Sequence, residues 1–158
     1  MSIDVNSSYL SAIRDSVGSH MFRHLFMVDD HGDRQDILQN GKLSCAYYVA
    51  FILYHFHLIK TPHATVQSTV RDLEASGWHQ VAEPIPGDVL VWEPSDIHAE
   101  GAMHEHIGFY LDHERAVSNS SQKGEIVEHD WTFGVDNQGN PNRRVIKILR
   151  LPSLQPSA

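Results

Sequence analysis

From residue 45 to about residue 58 the chain reads "CAYYVAFILYHFHL", with apolar side chains nearly all the way round a helical repeat. That pattern predicts a helix buried on most faces. Upstream, Leu10, Ile13, Val17, Met21 and Leu25 recur at three-to-four spacing. They predict an amphipathic N-terminal helix over residues 8–26 that covers the core, with Gly18 a weak point in its middle. Between the two, "VDDHGDRQDILQNGK" is polar and turn-rich and predicts a loop. "TPHATVQSTVRDLEASGW" predicts another helix, with Val66, Val70 and Leu73 on one side and Gly77 as its stop. Beyond Gly77 the period falls to two: 87–92, 106–111, 115–120, 124–129 and 143–151 are short β-branched or aromatic runs divided by Pro, Gly, Asp and Asn. Helices first and strands afterwards predict an α+β fold, with helices packed on an antiparallel sheet of about five strands. Residues 152–158 read as a loose tail.

Composition adds exclusions. The 158 residues amount to one domain, and 41% apolar with 20% charged residues is the balance of an ordinary globular protein. A formal charge of -8, with no basic run beyond Arg143-Arg144, excludes a phosphate-tracking surface and so predicts no nucleic-acid partner. Twelve histidines would offset much of that charge in mildly acidic surroundings. The apolar stretch 46–59 is interrupted by His55 and His57 and is too short to cross a bilayer. The N-terminus carries acidic residues and lacks the apolar core of a secretory signal, which predicts a cytoplasmic protein by default and leaves export by another route open.

One cysteine permits no intrachain disulfide, so Cys45 is either a packing residue or a nucleophile. It stands where the polar loop ends and the buried helix begins. There, unpaired backbone N–H groups and the helix dipole are expected to push a thiol toward thiolate. Such a nucleophile needs an imidazole within reach and a third group to orient the ring. His106, at the head of "HIGFYL", is the candidate base, with His104 its competitor and Gly108 leaving room for close backbone approach. Ser118 or Asn119 in "AVSNSS" could fix the tautomer, and only one of two adjacent strand residues can face His106. No H-E-x-x-H or clustered Cys/His spacing is present, so no metal is expected beyond weak adventitious binding at His98, His104 and His106. Trp131, in "GEIVEHDWTFG", could stack on a substrate or simply close the core.

Together these segments resemble the NlpC-type cysteine peptidases of the papain-like superfamily, with the CHAP amidases as near relatives. "LSCAYYVAFIL" stands where the family has a Cys opening a buried helix, "PGDVLVW" (86–92) is similar to its "PGDLVFF", and "HIGFYL" (106–111) to its "HVGIYLG". The resemblance spans roughly residues 41–150 and leaves the N-terminal helix and loop, 1–40, outside the catalytic portion. It implies a papain-like fold and a thiol hydrolase cleaving an amide bond in a peptide or peptidoglycan stem. Cys45 would attack, His106 would act as base, and Ser118 in simple register or Asn119, chemically the better orienter, would be the third residue. The backbone N–H of Cys45 would contribute to the oxyanion hole, and Ser44, Tyr47 and Trp131 would lie against the substrate. No cofactor and a monomer are implied. The family's "DCSGF" is replaced by Ser44-Cys45-Ala46-Tyr47-Tyr48, which removes groups that line its subsites and keeps two alternatives open. These are a binding module that lost the reaction, and a protein-modifying amidase or transglutaminase-like effector.

Overall fold

The computed structural model describes residues 1–96 and 100–154. Its elements run in the order α1 (Val5–Asp15), β1 (Phe26–Val28), β2 (Arg34–Asp36), α2 (Cys45–His55), α3 (Val66–Ala75), β3 (His79–Gln80), β4 (Val89–Ser95), β5 (His104–Tyr110), β6 (Arg115–Ser120), β7 (Glu125–Asp130) and β8 (Val145–Arg150). A short 3-10 turn, Pro152–Leu154, follows β8, and Leu154 packs on the core. The rest of the expected tail lies outside the described residues. The fold is α+β, with three helices, a six-stranded antiparallel sheet ordered β3-β8-β4-β5-β6-β7, and a separate β1-β2 hairpin.

The N-terminal helix is shorter than its periodicity predicts. Asp4 caps it by accepting from the Ser7 N–H, and it ends at Asp15. Gly18 then takes a left-handed φ of 85° and donates its N–H to the Ile126 carbonyl, which carries the chain away from the helix axis. Met21 is exposed, and Phe22 fills the core instead. Tyr9 and Ile13 are fully buried, and the Tyr9 hydroxyl donates to the Gly87 carbonyl at 2.8 Å, so α1 is part of the same core as the sheet. α2 behaves as expected: Ala46, Tyr48, Val49, Ala50, Ile52 and Leu53 are buried, with only the Phe51–Tyr54 side reaching solvent. α3 is capped by Thr65 and stopped at Gly77, φ 95°.

Alternation along the strands divides the apolar residues between the two faces of the sheet. Val89, Val91, Ile107, Phe109, Val117 and Ile126 face α1 and α2 and form the main core. Leu90, Trp92, Tyr110, Ala116 and Ile148 face the other way and form a smaller cluster. Each fully buried side chain of this kind contributes roughly 1.5–3 kcal/mol, so the larger cluster on the helix side carries most of the stability. The β5–β6 ladder holds at Phe109–Val117 and Tyr110–Ala116 only, and the first half of β5 pairs with β4 alone. That break in the ladder positions the site.

Candidate functional site

Cys45 is the first residue of α2, which lies across β5 and β6. Cys45 is half-buried as a residue, and the backbone N–H groups of Ile107, Ala46 and Cys45 itself favour the thiolate, as does the charge of Arg143. Burial nevertheless outweighs them and pushes the thiol up from its ordinary value. The helix N-terminus acts in the expected direction, but its few amides do not offset the protein packed around the sulfur. The resting group is a thiol, a correction to the low-pKa nucleophile expected from position alone.

His106 projects from the opposite face of β5, where its ring meets Trp92 at 5.2 Å and Phe133 at 5.9 Å between centroids. It belongs to a chain of three side chains drawn from three adjacent strands. His106 Nε2 lies 2.8 Å from the Ser118 hydroxyl, the same hydroxyl lies 2.7 Å from His129 Nε2, and His129 Nδ1 lies 2.7 Å from the Asp130 carbonyl. A carbonyl only accepts, so His129 carries its proton on Nδ1. Its Nε2 then accepts from Ser118, Ser118 accepts from His106 Nε2–H, and the Nδ1 of His106 is left with a bare lone pair. Phe133 stacks on His129 at 4.1 Å and roofs the chain. Burial, with the charge of Arg143 and then that of His129 added, pushes His106 down to about 3, and burial also lowers His129. Both rings are therefore neutral at physiological pH, which the tautomer assignment requires.

The two sides of β6 divide the labour of positioning. Ser118 faces His106, whereas Asn119 turns to the other face and donates to the Gly41 carbonyl at 2.7 Å. Asn119, the chemically favoured orienter of the base, thus holds the loop leading into Cys45 instead. That loop is also pressed against the β6–β7 turn: a Cβ on Gly41 would come within 2.6 Å of Gly124 Cα. On the His106 side, a Cβ on Gly108 would meet the Val117 carbonyl at 2.6 Å and Ser118 Cβ at 2.8 Å, so the close approach expected at this glycine is real.

Cys45 comes from the helix face and His106 from the opposite one, and both line a cleft of about 610 Å³ at the open end of β5, shared with Lys42, His104, Asn119 and Arg143. No hydrogen bond joins the Cys45 sulfur to His106 among the described residues. A second hollow of about 410 Å³ runs past Ser118 and His129 and also reaches His106, Asn119 and Arg143. Arg143 is buried between the two. Its Nε donates to the Glu93 carbonyl at 3.0 Å and its Nη2 to the His104 carbonyl at 2.7 Å.

The three side chains expected against a substrate lie elsewhere. Ser44 is fully buried with a hydroxyl that has no hydrogen-bond partner among the described residues, Tyr47 packs edge-on against Phe22 and Phe51, and Trp131 sits in the smaller cluster, edge-on to Tyr110. None of them lines either cavity. His104 is exposed on the cleft, and His98 lies outside the described residues. Among the described residues no group of three or more His, Cys, Asp or Glu side chains could hold a metal ion, and no helix is long and apolar enough to cross a membrane. Sequence reasoning passed over Arg143, which reads as half of a surface basic pair. For His129 the available signal is the period of two in "IVEHD", which puts it on one face with Val127. Neither a protein-family model nor a curated protein matches the chain.

Proposed function

We propose that the protein is a cysteine hydrolase that cleaves an amide bond in a peptide or peptidoglycan stem. Cys45 is the nucleophile, His106 the base and Ser118 the residue that orients the base. The observation that carries this reading is the hydrogen-bond chain from Asp130 through His129 and Ser118, which leaves the Nδ1 of His106 unprotonated in a residue that lines the same cleft as Cys45. A cysteine opening a buried helix laid on an antiparallel sheet, with the base and its orienting residue on neighbouring strands, supports the NlpC-type, papain-like arrangement. In the attack the sulfur forms a bond to the carbonyl carbon, the S–H proton passes to His106 Nδ1, and the carbonyl π pair moves to oxygen. The N–H of Cys45 and a neighbouring donor would hold that oxyanion. Collapse breaks the C–N bond as His106 returns the proton to the leaving amine, and water then releases the acyl group.

One observation favours a second reading, a binding module of the same fold. With the thiol raised and the imidazole lowered to about 3, an ion pair between them is strongly uphill at rest. Incubation with purified wall peptides and, separately, with a glutamine-bearing protein separates the readings. Release of amine from wall peptide that falls by about 10⁴-fold or more in Cys45→Ala and in His106→Gln is the expected result. Modification of the protein glutamine alone would reassign the substrate, and turnover indifferent to both substitutions would leave the binding module.

A further inference from the structure

Arg143 is nine-tenths buried, and among the described residues no carboxylate is within ion-pair distance of it. Glu93, the acid whose charge it senses, is committed to Arg144, whose backbone N–H and Nε it accepts at 3.0 and 3.1 Å. Glu105 lies on the same cleft and makes no hydrogen bond to Arg143. Two neutral carbonyls, from β4 and β5, hold the Nε and Nη2 of Arg143, while Nη1 has no hydrogen-bond partner among the described residues. An uncompensated buried charge is strongly unfavourable, and a guanidinium held rigidly by two carbonyls is preorganised to meet a planar anion. The position matters as much as the charge: Arg143 lines the cleft with Cys45 and His106, and its charge reaches both.

We infer that Arg143 anchors a carboxylate of the substrate beside Cys45, so that the amide attacked belongs to a peptide presenting a free carboxylate next to the scissile bond. This inference rests on the hydrolase reading for the word substrate; the anchor itself is a property of the cleft. A carboxylate docked on Nη1 takes up donors that the two carbonyls leave unused and matches the charge, and it fixes the neighbouring carbonyl over the sulfur. A neutral amide of the same shape leaves the guanidinium unmatched, so the site discriminates acid from amide.

Because Cys45 is the only cysteine, alkylation reports on this cleft alone. The sulfur displaces iodide from iodoacetate or from iodoacetamide, forming the S–C bond as the C–I bond breaks, and the two reagents differ in the carboxylate. At pH 9 the iodoacetate-to-iodoacetamide rate ratio of the whole protein is expected to exceed that of glutathione by about tenfold, with saturation in iodoacetate. In Arg143→Gln the ratio should fall to the glutathione value, and Arg143→Lys should keep part of it. A wild-type ratio equal to that of glutathione overturns the anchor, whether or not either variant folds. Thermal unfolding with N-acetylglycine against N-acetylglycinamide gives a second reading that does not need a reactive thiol: the acid alone should raise Tm, and equal shifts, or none, overturn the anchor. Carboxylate preference without turnover of any amide would keep the anchor and remove the hydrolase. Turnover without carboxylate preference would do the reverse.

Discussion

Two buried networks in this molecule contain a histidine, and they are built on opposite principles. In the first, Asp72 of α3 accepts from the backbone N–H groups of Lys60 and Thr61 at 2.9 and 3.0 Å, from Ser76 Oγ at 2.9 Å, and from His63 Nε2 at 2.7 Å. Those donors more than offset the burial and hold the carboxyl well below its usual range. In the second, His106, Ser118 and His129 bond to one another with no acid among them, and burial drives the rings toward neutrality. The first network ties the segment after α2 to α3. The second leaves a lone pair uncommitted at a cleft. A satisfied charge fixes a loop, whereas a neutral relay leaves an imidazole nitrogen uncommitted.

The contrast is open to test, beginning with acid. His106 stays neutral in the folded protein down to about pH 3, while an unfolded imidazole protonates below about pH 6.5. The unfolded state binds more protons in that window, so stability is complete above about pH 6.5 and is lost as the pH falls toward 3, by up to about 4 kcal/mol. Asp72 is also shifted down, but from the carboxylate range, so its contribution is complete above about pH 4 and is lost only as the pH falls below that. Urea unfolding between pH 6.5 and 4.5 should therefore show a decline that flattens in His106→Gln and persists in Asp72→Asn. Next in size, Asp72→Ala should cost about 3 kcal/mol at pH 7, because it orphans two backbone donors and Ser76, and urea midpoints measure it. The smallest effect has the opposite sign. Ser44→Ala removes a buried hydroxyl with no partner and should stabilise the protein by about 1 kcal/mol, raising Tm by several degrees.

How much of this was legible depended on range. α2, α3, β6 and Gly77 followed from local periodicity and stop signals, and β6 has the bounds 115–120 that the pattern predicts. The β1-β2 hairpin was hidden in what reads as a loop, because Phe26, Met27 and Val28 are exposed and bury no face that would imprint an alternation. β3 is a two-residue edge strand, too short to leave a signal. Cys45 and His106 were singled out by position, and Ser118 and Asn119 together as two possible partners of the imidazole. The choice between Ser118 and Asn119 was closed to sequence, since it depends on which face of β6 meets β5 and local pattern does not reveal that register. Thiol acidity was misjudged because the helix terminus is a local feature, whereas burial is summed over the whole fold. Arg143 lies in the segment between β7 and β8, and its place beside Cys45 depends on contacts across the sheet that no local spacing records.

Ser118 and Asn119 give β6 a property best described as parity. One residue grips the ring of His106 and the next grips the loop that leads into Cys45, on opposite sides of one strand. A shift of β6 by a single position would turn each side chain to the wrong face and release both halves together. One inserted residue in β6 would therefore break both contacts without touching Cys45 or His106.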